Sequence, residues 1–300
     1  SHHASVTFYK GKFYAIWSNG RINEDDTGQR VLMSSATDSG KWSEPAPLVD
    51  SLPGKHSELV LTAAGFHEHE GTLVAYYGQY EYKQTALVDG ARRTDGGDRG
   101  HQDTCLKALA TTDGETWGEH LDMGVPIVPN HGPQATASGR LIISGNFSHP
   151  YTDDPAGLSG WTRTTIWPAA ACEGIADDSE GFWIARERVG DVPGLCEGSW
   201  YQTDDGVIHM LQRSGTPKLW LTESTDDGVT WSFPVESEFS DNVTKFHFGR
   251  LQDGRFYYVG CPDADRNFPR ARLVLSLSED GETFGRSEER RVGKECATGC

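Results

Sequence analysis

The chain has 300 residues, and its 44 acidic against 27 basic side chains give a formal net charge of -17, which argues against a whole-surface role in binding DNA or RNA. Mean hydropathy is -0.55, and no apolar run is long enough to span a membrane as a helix. With 35 glycines, 9 tryptophans and 10 tyrosines spread over short aromatic and β-branched runs, the sequence predicts an all-β protein with many tight turns, built as one large domain or two ordinary ones.

In chain order, the opening "SHHASVTFYKG" carries neither a methionine nor a signal peptide, so the compartment stays open, with secretion or a periplasm among the readings. A unit then recurs: a turn glycine followed by an apolar strand. It reads "KGKFYAIW" at Gly11, "EGTLVAYY" at Gly71, "SGRLIISG" at Gly139, "DGVIHMLQ" at Gly206 and "DGRFYYVG" at Gly254. The glycine-to-glycine steps are 60, 68, 67 and 48 residues. Glycine suits the positive φ of a hairpin turn, and a period of this length, each unit a small sheet, is the signature of a propeller.

A second feature follows four of these strands: "SSATDSGKWSEP" (34–45), "ATTDGETWGEH" (110–120), "ESTDDGVTWSFP" (223–234) and "SLSEDGETFGR" (276–286). The third fits the full Ser-x-Asp-x-Gly-x-Thr-Trp pattern through Ser224, Asp226, Gly228, Thr230 and Trp231. The aspartate accepts hydrogen bonds from the backbone of its own turn and the aromatic packs between sheets, so the motif is structural. After Phe284, "GRSEERRVGKECATGC" lacks strand alternation. Residues 287–300 therefore read as an atypical tail with the look of a cloning or reading-frame artefact, following a propeller over 1–286.

Six cysteines form no tight metal-like pair, and Cys172–Cys196 is one open disulfide reading. His67 and His69 lie two apart on one strand face, but just before a turn, where a solvated hairpin is the blander reading; no metal site is expected. No phosphate loop or dinucleotide fingerprint is present, so no cofactor is expected. "NFS" (146–148) and "NVT" (242–244) match the glycosylation acceptor pattern.

With these Asp-box repeats the chain resembles the sialidase (neuraminidase) superfamily over about residues 1–286. The resemblance implies a six-bladed β-propeller, of which about five blades are recognisable and the last is missing. It implies a site on loops near the central axis. In "WSNGRINEDDTGQRVLMSS", Asp25 or Asp26 matches the acid/base aspartate, with Asp25 preferred, and Arg21 matches the arginine closing the strand. Glu197 matches the glutamate that polarises a catalytic tyrosine, and Arg213 one arginine of the triad that clamps a carboxylate. The Asp205-Gly206 turn puts these two charges at one end of a hairpin, where a guanidinium fork can hold a carboxylate. Arg270 or Arg266 matches the third arginine. In place of the first, His3 stands in "HHASV", and a histidine cannot reproduce the bidentate fork. The family tyrosine lies in the missing blade; Tyr80, Tyr82 and Tyr201 do not sit at its position.

One polar residue recurs near the first strand of each blade: His3, His56, His131, Glu197 and His247. Together these residues suit hydrolysis of a terminal acidic glycoside such as a sialoside, with Asp25 as general acid and Arg213 on the carboxylate. They also suit β-elimination from a uronic acid polymer by a histidine or tyrosine base, and a propeller that binds glycans without turnover remains a third reading. The expected partner is an acidic carbohydrate or glycoconjugate, the oligomeric state stays open, and Arg213→Ala is expected to cost activity with little loss of folding.

Overall fold

The computed structural model describes residues 1–38, 40–98, 100–129, 131–167, 171, 187–190, 192–262, 270 and 272–291, with only the backbone of 286–291. Among the described residues every sheet pairing is antiparallel, and the strands fall into four four-stranded sheets, one three-stranded sheet and one two-stranded hairpin. No helix among the described residues is long and apolar enough to cross a membrane.

The first sheet runs β1 (His2–Tyr9), β2 (Lys12–Asn19), β3 (Arg30–Ala36), β4 (Ala46–Val49) in sequence order. The second contains β5 (Val60–His69), β6 (Thr72–Tyr82), β9 (His101–Thr111) and β10 (Leu121–Asp122). Its β6–β9 connection carries a small hairpin of β7 (Leu87–Val88) and β8 (Ala91–Arg92). The third is β11 (Gln134–Ala135), β12 (Leu141–Ile142) and β13 (Tyr151–Thr152). The fourth is β14 (Leu195–Gln202), β15 (Ile208–Ser214), β16 (Lys218–Ser224) and β17 (Val235–Ser240). The fifth is β18 (His247–Arg250), β19 (Phe256–Gly260), β20 (Arg272–Ser278) and β21 (Gly285–Arg291). These five up-and-down sheets resemble propeller blades, one for each turn glycine in the sequence. By chain contacts they divide into one unit of Ser1–Ala135, Gly139–Arg163 and Trp167–Gly190 and another of Thr136–Ser138, Thr164–Ile166 and Asp191–Cys300.

The turns form for the reason the glycines suggested. Lys10 and Gly11 have φ of 45° and 81°, and Glu70 and Gly71 have 47° and 78°, a left-handed pair at the centre of each two-residue hairpin whose twist matches the strands. The boundary expected at residue 286 falls inside a strand. β21 pairs with β20 from Gly285–Leu277 to Arg291–Arg272, because a fourth strand needs only a free β20 edge and not an alternating pattern. Residues 292–300 of the expected tail lie outside the described residues.

The Asp boxes act as expected. Asp113 Oδ1 accepts from the Glu115 and Thr116 N–H groups at 2.8 and 2.7 Å, and Asp280 Oδ1 from Glu282 and Thr283 at 2.8 and 2.9 Å. Asp226 accepts from the Thr230 N–H at 2.8 Å. The third sheet has such a box too, in "TDDPAGLSGW" (152–161), where Asp154 accepts from the Ala156 and Leu158 N–H groups, both at 3.1 Å. One extra residue before its glycine hides it from a fixed-spacing search.

The box glycines also explain how neighbouring sheets lock within each unit. Tyr76 of the second sheet donates to the Gly157 carbonyl at 2.9 Å, and Tyr201 of the fourth sheet to the Gly281 carbonyl at 2.8 Å. In the first sheet Tyr14 lies against Gly114. At Gly157, φ is +69° and an added Cβ would lie 2.3 Å from the Tyr76 hydroxyl. Gly157→Ala is therefore expected to destabilise by about 2–4 kcal/mol, from backbone strain plus overpacking, read as a lower urea midpoint at unchanged m-value.

The cores follow the strand alternation. In the first unit Val74, Tyr76, Leu106 and Ile143 form one cluster, and Ile16, Val31, Leu61, Tyr77 and Leu109 another. In the second unit Tyr201, Phe248, Phe256 and Tyr258 pack together, with the box aromatic Phe284 against them.

The remaining sequence motifs meet local structure. Asn242 of "NVT" is only 5% exposed, so burial closes that glycosylation acceptor. Cys196 is a free thiol, and Cys172 lies outside the described residues. His67 Nε2 sits 2.8 Å from the Pro155 carbonyl, a structural contact rather than a chelate. Among the described residues no group of three or more His, Cys, Asp or Glu side chains is placed to hold a metal.

Candidate functional site

Two first strands carry the same irregularity. In β1 the register shifts between His2, opposite Ser18, and Ser5, opposite Ile16. In β14 it shifts between Cys196, opposite Arg213, and Ser199, opposite Leu211. Inside each bulge stands a non-glycine residue in the left-handed region, His3 at φ 55° and Glu197 at φ 52°. A left-handed side-chain-bearing residue is strained, and bulges are where strands re-aim a side chain. The recurrence expected from sequence therefore has a backbone cause in these two strands. His247 begins β18, whereas His56 and His131 lie in the segments before β5 and β11.

In the first unit, the bulge brings histidines to the acidic loop after β2. Asp25, itself left-handed at φ 57°, places Oδ1 3.5 Å from His2 Nε2. Its backbone is fixed on both sides: the N–H donates to Gln29 Oε1 at 2.8 Å, and the carbonyl accepts from the Tyr82 hydroxyl at 2.7 Å. Gln29 is fully buried, and its Nε2 donates in turn to the Leu61 carbonyl at 3.0 Å. Burial works against ionising Asp25, but the adjacent His2 imidazole, with His3 and Arg92 beyond it, outweighs burial and holds the carboxyl below the usual aspartate range. Asp25 is thus a resting proton acceptor. Asp26 turns away, its Oδ1 accepting from the Thr27 N–H at 2.9 Å.

Tyrosines and a histidine back this carboxylate. Tyr80 and Tyr82, two apart on β6, meet His101 with ring centroids 4.1 and 5.0 Å away. Burial pushes the Tyr80 and Tyr82 hydroxyls up and lowers His101 to about 4, so all three rest neutral near pH 7. Burial works against the Arg92 charge, but Tyr82, Asp25 and Tyr80 raise its titration. Glu81 serves the opposite purpose: its carboxylate accepts the backbone N–H groups of His56 and Ser57 and so pins the loop before β5. His56 therefore contributes backbone there. Arg21 is likewise committed, its guanidinium forked onto Glu58 at 2.6 and 2.7 Å, with a side chain 64% exposed. It closes the strand as expected, but a carboxylate of the protein already fills its fork.

In the second unit, Glu197 and Arg213 meet. Glu197 Oε2 accepts from Arg213 Nη1 at 2.5 Å, and the side chains are 9% and 24% exposed. The pairing of Cys196 with Arg213 across β14–β15 sets this up, since the turn at Asp205-Gly206 fixes the register. Burial works against the Arg213 charge, but Glu197, Cys196 and Asp241 hold it. Nearby, burial brings Lys245 down to about 8 against the pull of Glu197, and burial with Lys245 beside it brings His247 down to about 4. His247 Nδ1 shares a hydrogen bond with the Tyr257 hydroxyl at 3.0 Å. Arg270 donates to the Val243 carbonyl at 2.8 Å, propping the loop that carries Asp241 and Lys245. Arg266 lies outside the described residues.

His131 precedes Gly132, whose backbone packs on Gly65 in β5. Residues of these clusters not singled out from sequence include His2, Arg92, His101, Asp241, Lys245 and Tyr257. His2 was hidden by its neighbour His3, because a bulge shifts which of two adjacent residues faces the loop. Arg92, His101, Asp241 and Lys245 belong to no repeat, Tyr257 sits in a repeated strand whose pattern marks no chemistry, and only the fold brings them to the candidates.

Solved structures match this arrangement of strands. The NanB sialidase from Streptococcus pneumoniae superposes with a TM-score of 0.64 at 12% identity, over 97% of this chain and 61% of that one. The intramolecular trans-sialidase from Ruminococcus gnavus gives 0.62 at 13% identity, over 96% and 82%. A protein of unknown function from Dyadobacter fermentans gives 0.63 at 13%, over 97% and 82%. The chain thus spans about three fifths of the NanB chain, and at these identities the likeness shows the fold alone. No curated protein sequence matches it. The BNR repeat-like domain matches residues 11–289, nearly the whole chain including every Asp box described above, and the chain therefore belongs to the BNR repeat-like family, on the fold of the sialidase superfamily.

Proposed function

We propose that the chain is a glycoside hydrolase of the sialidase-like class acting on a terminal acidic sugar. The observation that carries this reading is the β14 bulge, which sets Glu197 against Arg213 at 2.5 Å while leaving Arg213 24% exposed. A guanidinium held in place by one internal carboxylate and still open to solvent suits an incoming carboxylate. The resemblance gives Asp25 the proton-transfer role, and its depressed titration makes it a base toward water before it is an acid toward a leaving group. Hydrolysis then adds the water hydroxyl at the anomeric carbon and its proton to the departing oxygen.

A second reading is favoured by one pair in the unit that holds Arg213. Tyr257 and His247 share their 3.0 Å hydrogen bond beside Lys245, whose titration near 8 suits a base. That set fits β-elimination: a base removes the proton alpha to a uronate carboxylate that Arg213 neutralises, and the 4-oxygen leaves.

The purified chain incubated with sialosides and with uronic acid polymers separates these. Free sialic acid is the expected product. A rise in absorbance from an unsaturated uronate supports elimination instead, and binding without turnover of either class overturns both enzymatic readings in favour of a glycan-binding propeller.

A further inference from the structure

The acidic loop that carries Asp25 folds back tightly on itself. A Cβ added at Gly20 would overlap the Asn23 carbonyl oxygen, so the loop closes over a residue with no side chain. From outside, the Arg21–Glu58 ion pair lies over Gly28, where an added Cβ would stand 2.9 Å from Glu58 Oε2 and 3.1 Å from Arg21 Cζ. Both partners of that pair are exposed, and such a pair holds a loop only weakly.

From inside, the loop is held by Gln29. Its amide reaches in beneath Gly20, with Oε1 3.6 Å from that added Cβ. The side chain is fully buried, and both ends of the amide bond backbone groups. Oε1 accepts from the Asp25 N–H at 2.8 Å, and Nε2 donates to the Leu61 carbonyl at 3.0 Å. The backbone of Gln29 repeats the tie: its carbonyl accepts from the Leu61 N–H and its N–H donates to the Asp26 carbonyl, both at 3.1 Å. Leu61 is itself fully buried in β5, so one side chain joins Asp25 to a core strand of the next sheet.

The conformation held this way is a strained one. Asp25 stands at φ 57°, and a side-chain-bearing residue stays in the left-handed region only where its surroundings over-determine it. Here Gln29 fixes the N–H and the Tyr82 hydroxyl fixes the carbonyl, so neither peptide flanking Asp25 is free to turn. Around the carboxylate stand His2 and His3 from β1, Tyr80 and Tyr82 from β6, Arg92 from β8 and His101 from β9. A small rotation of Asp25 therefore changes which of these groups its carboxylate meets.

We propose that Gln29 is the positioning residue of the proton-transfer group, its amide holding Asp25 in the left-handed conformation that sets the carboxylate beside His2. The catalytic meaning of this tie rests on the reading of Asp25 as that group; the tie itself rests on the geometry alone.

Gln29→Met keeps the length of the side chain and removes both amide bonds. Its kcat on an acidic glycoside is expected to fall by about ten- to a hundredfold, with KM changed by less than about twofold, since a misplaced proton-transfer group acts on the chemical step. Gln29→Glu serves where the methionine variant fails to fold. Burial raises such a carboxyl to about 8–9. Near pH 6.5 it is therefore protonated and reproduces the amide, one oxygen accepting from the Asp25 N–H and the O–H donating to the Leu61 carbonyl. Its kcat relative to wild type is expected to be close to one at pH 6.5 and to fall as pH rises through about 9 and that proton is lost. Without substrate, amide hydrogen exchange at Asp25 is expected to quicken at least about tenfold in Gln29→Met while β9 stays protected. An unchanged kcat in Gln29→Met, an equal loss in Gln29→Glu at every pH, or an Asp25 amide no faster to exchange overturns the role of Gln29. Faster exchange in Gln29→Met, with no acidic glycoside cleaved by the wild type, removes the hydrolase reading and leaves the tie standing. Cleavage by the wild type that Gln29→Met leaves untouched removes Gln29 and leaves the hydrolase reading standing.

Discussion

Arg213→Ala is expected to lose turnover of an acidic glycoside by at least about a hundredfold and to destabilise the fold by about 3–5 kcal/mol, the range for stripping one partner from a buried ion pair. The second effect departs from the sequence expectation of little folding loss. The reason is the burial of Glu197, whose side chain is 9% exposed and whose Oε2 is 2.5 Å from Arg213 Nη1. Without the guanidinium, that carboxylate is left in a poorly solvated pocket beside Asp241, itself fully buried with its titration raised by burial. The two effects separate in a double-mutant cycle with Glu197→Gln. The double variant should regain much of the lost stability, because no charge is left unpaired, and should regain none of the activity. Recovery of activity in the double variant, or turnover unchanged in Arg213→Ala at a temperature where it remains folded, would remove Arg213 from substrate binding. Urea unfolding followed by tryptophan fluorescence measures the first quantity and initial rates on a sialoside the second.

Much of the architecture could be read in the chain because it is written in short-range chemistry. Gly11, Gly71, Gly139, Gly206 and Gly254 all adopt positive φ, and a glycine at such a position is demanded locally, whatever the rest of the fold does. The Asp boxes were legible for the same reason, since Asp113, Asp226 and Asp280 bond within their own turns. Where an element depends on a neighbour instead, the pattern thins. The Asp154 box carries an extra residue before its glycine, whose carbonyl Tyr76 of the adjacent sheet bonds. β21 needs only the open edge of β20, so its own sequence carries no alternation.

The candidate site divides along the same line. Glu197 and Arg213 could be paired in advance, because a single hairpin turn sets their register. Arg21 could not be judged, because its partner Glu58 lies 37 residues away and belongs to the segment before another sheet. His2 against Asp25 depends on a bulge, and a bulge is a choice of backbone that side-chain patterning does not announce. The cleft lined by Ile22, Asn23, Asp26 and the β7–β8 hairpin is the extreme case: its walls are an acidic loop and an inserted hairpin, each of which reads as solvated surface when taken by itself.

Acidification from pH 6.5 to 4 is expected to unfold the protein, well before most of its carboxylates are protonated. Three histidines fold in their neutral form. Burial lowers His149 to about 3, and lowers His101 and His247 to about 4. His149 is fully buried, with its ring Nδ1 3.3 Å from the Ser144 hydroxyl, while the other two are only partly exposed. In the unfolded chain each titrates at the ordinary histidine value of about 6.5. Between that value and the folded one, the unfolded state binds more protons than the folded state, so stability rises with pH across the window and is lost as pH falls through it. Near pH 5 up to three protons are taken up on unfolding, a slope of about 4 kcal/mol per pH unit at most, against a typical stability of about 5–15 kcal/mol. Asp25 has its depressed titration lower down, so its contribution is lost only as pH falls further. Thermal unfolding at half-unit pH steps should show the midpoint falling continuously below about pH 6.5. His149→Gln, which carries no titrating group, should be less stable at pH 7 through the loss of a packed ring, yet should show a shallower slope by about one proton. An unfolding midpoint flat between pH 6.5 and 4, or a slope that His149→Gln leaves unchanged, would show that these histidines reach water and protons without unfolding.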